Sequence, residues 1–244
     1  MSDPELPDGV VVVRIDQDHV RNAVNSETAQ RLHDAFVAFE GDDSVRVAVL
    51  TGDEQAFSAG ANLRDLPTLR DSGPLGPTRL QLSKPVIAAI EGWCVAGGVE
   101  LAAWCDLRVA GASARIGCLE RRWGVPLIDG GTYRLPQIVG LGRALDLILT
   151  GREISAEEAE RMGFLNRVVA AGEALGAAIA LAGEIAAHPW LGVVNDRRSV
   201  YAGLGRDLQD ALAIEDELGR ETIFADGFRN GVARFDDHQA ARER

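Results

Sequence analysis

Apolar residues along this chain fall into short unbroken runs that stop at glycines, and several runs then open into helical periodicity. Val10 to Ile15 is a β-branched run and reads as a strand. Ser26 is placed as the N-cap of a helix with Leu32, Ala35, Phe36 and Phe39 on one face, ended by Gly41. Val45 to Leu50 and Pro85 to Ile90 read as buried strands, and Leu107 to Ala110 as another. Helices are expected over Val99 to Cys105, Arg143 to Leu149 and Gly172 to Ala187. Ser155 with Glu158 forms a capping box for a further helix ending near Gly163, followed by a strand from Phe164 to Val169. Beyond His188-Pro189 the pattern is helical and shows no strong strand. The strand–turn–helix unit recurs, but not at a fixed period.

The punctuation between these elements carries the chemistry. After the run Pro85 to Ile90, Ala96-Gly97-Gly98 turns the chain into the apolar helix that contains Glu100. A strand that ends on glycines and starts a helix leaves backbone N–H donors and a positive dipole end at the turn, which favour an oxygen that becomes negative. Glu100 follows Gly97 by three residues and so shares its helix face. Read alone, Gly97-Gly98 is equally a tight turn and Glu100 a first-turn acid that complements the dipole. A second turn, Ser58-Ala59-Gly60-Ala61, lets backbone approach a ligand closely and could supply another N–H to the same oxygen. Asn62 and Leu63 are placed at the start of a helix. Arg64 to Gln81, rich in proline and glycine, reads as a mobile surface segment. Cys118 to Gly140 reads as an irregular loop bearing Glu120 and Asp129, with Glu120 open to the alternative of a solvated acid paired with Arg121 or Arg122.

Composition narrows the function classes. The chain has 244 residues, 46% of them apolar, and a net charge of −12. That charge disfavours nucleic acid and anionic membrane surfaces as partners. The unpaired spacing of Cys94, Cys105 and Cys118 disfavours a disulfide framework or zinc site and suits a reducing, cytoplasmic setting. His19, His33, His188 and His238 show no metal-ligand spacing. The acidic start, MSDPELPDG, is not a secretory signal, and no apolar run approaches the ~20 residues of a membrane helix.

Taken in order, AFSAGANL, KPVIAAIEGWCVAGGVELAAWCDLRVA, ERRWGVPLIDGGTYRLPQIVG and ILTGREISAEEAERMGFLNRVV resemble the enoyl-CoA hydratase/isomerase (crotonase) family. The resemblance spans about Val10 to Ala187. It implies an α/β fold: a spiral of ββα repeats with two nearly perpendicular sheets and a C-terminal helical region that packs in trimers. Residues 1–188 would then form the spiral core with the acyl-CoA site, and 189–244 the helical region. It further implies syn addition of water to a 2-trans-enoyl-CoA. The backbone N–H groups of Ala61 and Gly97 would form the oxyanion hole, Glu100 would activate water and Glu120 would protonate C2. Ala59, Asn62, Leu63, Arg64, Gly98 and Asp129 would contact substrate beside Ala61. No metal or redox cofactor is implied, coenzyme A arriving with the substrate, and the assembly would be a homotrimer or homohexamer. Isomerisation of a double bond and non-catalytic acyl-CoA binding are the alternatives.

The chain departs from the family pattern at Asn62, where aspartate is usual, and at Leu119, where proline is common. Leu127-Ile128-Asp129 replaces a proline–glycine run, offering a third carboxylate that could serve an isomerase. Arg64 to Gln81 is short for the family, from which a more open acyl pocket is expected.

Overall fold

The computed structural model describes residues 5–242. Met1 to Pro4 lie outside the described residues, as does the side chain of His238.

The first sheet has five parallel strands, β1 (Val10–Arg14), β2 (Val47–Thr51), β4 (Val86–Ile90), β6 (Leu107–Gly111) and β9 (Arg167–Val169), in the order β1-β2-β4-β6-β9. Its central strands are buried on both faces, which is why they read as unbroken apolar runs rather than alternating ones. Side chains still alternate between two cores. Ala48, Leu50, Ala88 and Ile90 face the main core, while Val47, Val49, Ile87 and Ala89 meet helix α6 (Ala174–Ala186) on the other side.

The second sheet was not visible in the sequence pattern. Strands β3 (Ala56–Ser58), β5 (Trp93–Val95), β7 (Arg115–Gly117) and β8 (Ile154–Ser155) line up in that order, the last pair antiparallel. Each is two or three residues long, too short to display a period. β2–β3, β4–β5 and β6–β7 each contribute one strand to each sheet. The β4–β5 unit runs directly into helix α2 (Gly97–Trp104).

Helix α1 (Ser26–Gly41) is capped by Asn25, not Ser26: the Asn25 side chain accepts from the Thr28 N–H at 2.9 Å. Helix α3 (Gly131–Val139) occupies part of the expected loop, its pattern masked by Gly131 at its start and Pro136 inside it. Helices α4 (Leu141–Thr150) and α5 (Ala156–Met162) follow, the latter capped by Ser155.

The C-terminal helices are α7 (Trp190–Gly203), α8 (Leu208–Phe224) and α9 (Asp226–Arg242). Asp106 ties α7 to the first sheet. It accepts from the Val86 N–H at 2.8 Å, Arg197 Nε at 2.9 Å and the Tyr201 hydroxyl at 2.7 Å. Asp106→Ala should therefore cost about 1–3 kcal/mol, with hydrogen-exchange protection falling first in α7. Unchanged exchange in α7 would contradict this. No single helix among the described residues is long and apolar enough to cross a membrane.

Candidate active site

Two turns from distant parts of the chain are pressed together. A side-chain carbon on Gly60 would fall onto the Gly97 nitrogen, and one on Gly97 would lie 3.1 Å from Gly60 Cα and 3.5 Å from the Ala61 nitrogen. Only glycine permits this approach, and Gly60 also holds φ at +83°. Neither the Ala61 N–H nor the Gly97 N–H donates to an acceptor among the described residues. Both donors are thus uncommitted, on two turns that touch.

Local chemistry explains why the turns hold. Ala96, which leads into α2, sits at φ 53° and ψ −127°, a region that favours glycine. It is fixed there by its N–H on Gly117 O at 2.9 Å and its carbonyl on the Val99 N–H at 2.9 Å. The Gly60 turn is braced by two side chains, Asn22, which no motif marks, and Ser58, which the sequence places in the turn but not as a support. Buried Asn22 donates to Ala56 O at 2.7 Å and to Asp53 at 2.8 Å. The Ser58 hydroxyl donates to Asn22 O at 2.8 Å and accepts from the Gly60 N–H at 3.0 Å. Asn22 Oδ1 also accepts from the Gln17 N–H at 2.7 Å, but the partners that brace the turn, Asp53 and Ala56, lie more than thirty residues away, so no local window marks the residue.

Glu100 lies on α2, only 3% exposed. Its Oε1 accepts from the Asp129 N–H at 2.9 Å and the Gly131 N–H at 2.8 Å. Burial pushes its pKa up to about 7, against the pull of the Gly131 hydrogen bond, with Asp129 and Glu120 adding repulsion. Glu120 lies on a short 3-10 turn, Leu119–Trp123, and is also 3% exposed. Both of its carboxyl oxygens are buried without a hydrogen-bond partner. It is therefore neither solvated nor paired with Arg121 or Arg122, and burial raises its pKa. The two carboxyl groups differ in one respect that matters: two N–H donors favour the ionised form of Glu100, and nothing comparable holds a charge on Glu120.

The remaining candidates separate. Gly98 is buried in the first turn of α2, and Ala59 and Ala61 are half-buried beside it. Asn62 starts no helix: its side chain accepts from the Arg64 N–H at 3.0 Å, closing a local turn. Leu63 and Arg64 are exposed. Asp129 is buried, and its carboxylate accepts from the Leu75 N–H at 3.1 Å and from the Thr78 hydroxyl. The segment expected to be mobile is thus pinned in part. Gly73 to Thr78 are buried.

Known proteins place the chain as a whole. The family described as enoyl-CoA hydratase/isomerase matches residues 5–242. A short-chain-enoyl-CoA hydratase of Clostridium acetobutylicum is 35% identical over 93% of this chain and 90% of its own length. A crotonyl-CoA hydratase of Syntrophomonas wolfei is 35% identical over 86% of this chain and 85% of its own. The solved structure of an enoyl-CoA hydratase from Mycobacterium tuberculosis matches with a TM-score of 0.91 and 33% identity, covering 96% of this chain and 94% of that one. With the family model spanning nearly the whole chain and the fold shared with solved hydratases, this protein belongs to the enoyl-CoA hydratase/isomerase family.

Proposed function

We propose that this chain hydrates 2-trans-enoyl-CoA thioesters, with Glu100 and Glu120 as its acid–base pair and the Ala61 and Gly97 N–H groups as its oxyanion hole. The observation that carries the reading is the unequal pair of buried carboxyls next to two uncommitted amides. A buried carboxyl without a protein partner is costly, so its partner is expected to arrive with the substrate.

In the reaction, the ionised Glu100 takes a proton from water as the water oxygen bonds to C3. The π electrons of the double bond shift toward the thioester, whose oxygen gains charge against the two amides. Glu120, protonated, gives its proton to C2, so that H and OH add in syn fashion. Glu100 ends protonated and Glu120 ionised, and a proton passing between them resets the pair. Ala59, Asn62, Leu63, Arg64 and Gly98 border the thioester and pantetheine. The chemistry uses no metal or redox cofactor, and coenzyme A enters with the substrate.

Incubation with crotonyl-CoA should bleach the conjugated thioester band and yield 3-hydroxybutyryl-CoA. No bleaching at any acyl length, at high enzyme, would end the reading. The pH profile is a second test. kcat/KM should rise with pH through about 7 as Glu100 ionises. A flat profile from pH 5 to 9 would contradict the assignment.

The isomerase alternative drew on Asp129 as a third carboxylate and on the altered Leu127-Ile128-Asp129 floor; of these, the Asp129 carboxylate is engaged by Leu75 and Thr78. For the assembly, exposed Leu208, Phe224, Phe228 and Phe235 on α8 and α9 support burial against other copies, in a homotrimer or homohexamer. Three buried, unpaired cysteines suit a cytoplasmic setting.

A further inference from the structure

Asp129 is a buried carboxylate that the proton transfers above do not use. It joins two parts of the site. Its main-chain N–H donates to Glu100 Oε1 at 2.9 Å, while its Oδ1 accepts from the Leu75 N–H at 3.1 Å and from the Thr78 hydroxyl. Arg134 closes the same node, donating to Asp129 O at 2.9 Å and to Thr78 O at 2.7 Å. Gly73 to Thr78 has no helix or strand of its own, yet it is buried. Buried irregular backbone needs partners for its polar groups, and Asp129 and Arg134 supply them.

The node brings Leu75 onto the oxyanion turn. Leu75 is 1% exposed, and its Cδ1 lies 2.6 Å from where a side-chain carbon on Gly97 would begin. On the hydratase reading, a thioester held at the Gly97 N–H would lie beside Leu75, and an acyl chain running from it toward Glu100 and Glu120 would pass this side chain.

We propose that Leu75 is the wall that limits acyl length and that Asp129 is the positioning residue that holds the wall in place, so that the protein selects short acyl-CoA thioesters. The inference rests on the hydratase reading for its substrate. Its two parts are separable, because Leu75 can be shortened without disturbing the Asp129 hydrogen bonds, which use the Leu75 main chain.

The test compares crotonyl-CoA with 2-trans-decenoyl-CoA in kcat/KM, and butyryl-CoA with decanoyl-CoA in calorimetric Kd. The wild type should favour the four-carbon substrate. Leu75→Ala should shift the kcat/KM ratio toward ten carbons by about 10-fold or more. Thr78→Val should shift it the same way by less, and Thr78→Ser should restore the wild-type ratio. A wild type indifferent to length in both assays, or a Leu75→Ala ratio equal to wild type, overturns the proposal. Absence of turnover with a length-selective Kd that Leu75→Ala relaxes would defeat the hydratase reading and leave this one standing. Asp129→Asn that lowers rates equally at both lengths, with the ratio unmoved, would overturn the positioning role.

Discussion

Glu100→Gln should abolish most hydration, lowering kcat for crotonyl-CoA by about 10²–10⁴-fold with little change in KM. The amide oxygen can keep both hydrogen bonds, from Asp129 N–H and Gly131 N–H, so the local structure should survive. What is lost is the ability to take a proton. The same variant should be more stable than wild type at high pH. Glu100 has a folded pKa of about 7, above its unfolded value. The folded state therefore binds the proton more tightly, and wild-type stability falls as pH rises from the unfolded pKa through about 7. The substituted amide carries no charge, so the Tm of the variant should lack that decline. Glu120→Gln should lower kcat comparably, since a buried carboxyl with no protein partner is replaced by a group that cannot donate an acidic proton. A variant at either position that kept a tenth of wild-type kcat would remove that residue from the chemistry.

Gly60→Ala should cost about 10²–10³ in kcat through the oxyanion hole, without touching either carboxyl. The new methyl would fall on the Gly97 nitrogen, and the backbone at φ +83° disfavours any side chain. The two turns must separate or the methyl must cover a donor. In both cases the thioester oxygen loses an N–H. The expected signature is a fall in kcat with the pH profile unchanged, because Glu100 and Glu120 keep their surroundings. A pH profile that moved with the rate would mean the carboxyl pair had been displaced instead. Circular dichroism and a melting curve separate both from simple unfolding.

The first sheet was legible in the sequence because its central strands are buried on both faces, so that VIAAI at Val86–Ile90 needs no alternation to be recognised. Its partner sheet was not, since strands such as Trp93–Val95 are too short to show a period and sit next to the glycines that dominate the local pattern. Of the proposed site, Gly97, Ala61, Glu100 and Glu120 were singled out through their motifs. Asn22, Ser58 and the Asp129 node were missed as supports, because their roles are hydrogen bonds across the fold. Asn22 reaches Asp53 and Ala56, and Asp129 reaches Leu75 and Thr78. Proline and glycine between Gly73 and Pro77 suggested mobility. The burial of those residues comes from a carboxylate some fifty positions away, which no local window contains.

Everything proposed for the reaction depends on one oxygen being reached by two amides. The direct measurement is a crystal structure with acetoacetyl-CoA bound. The thioester oxygen should lie about 3 Å from both the Ala61 and Gly97 nitrogens, with Glu100 and Glu120 both facing the carbons next to the thioester. A thioester oxygen hydrogen-bonded to neither amide, or an acyl chain lying on the far side of Leu75 from Glu120, would contradict it.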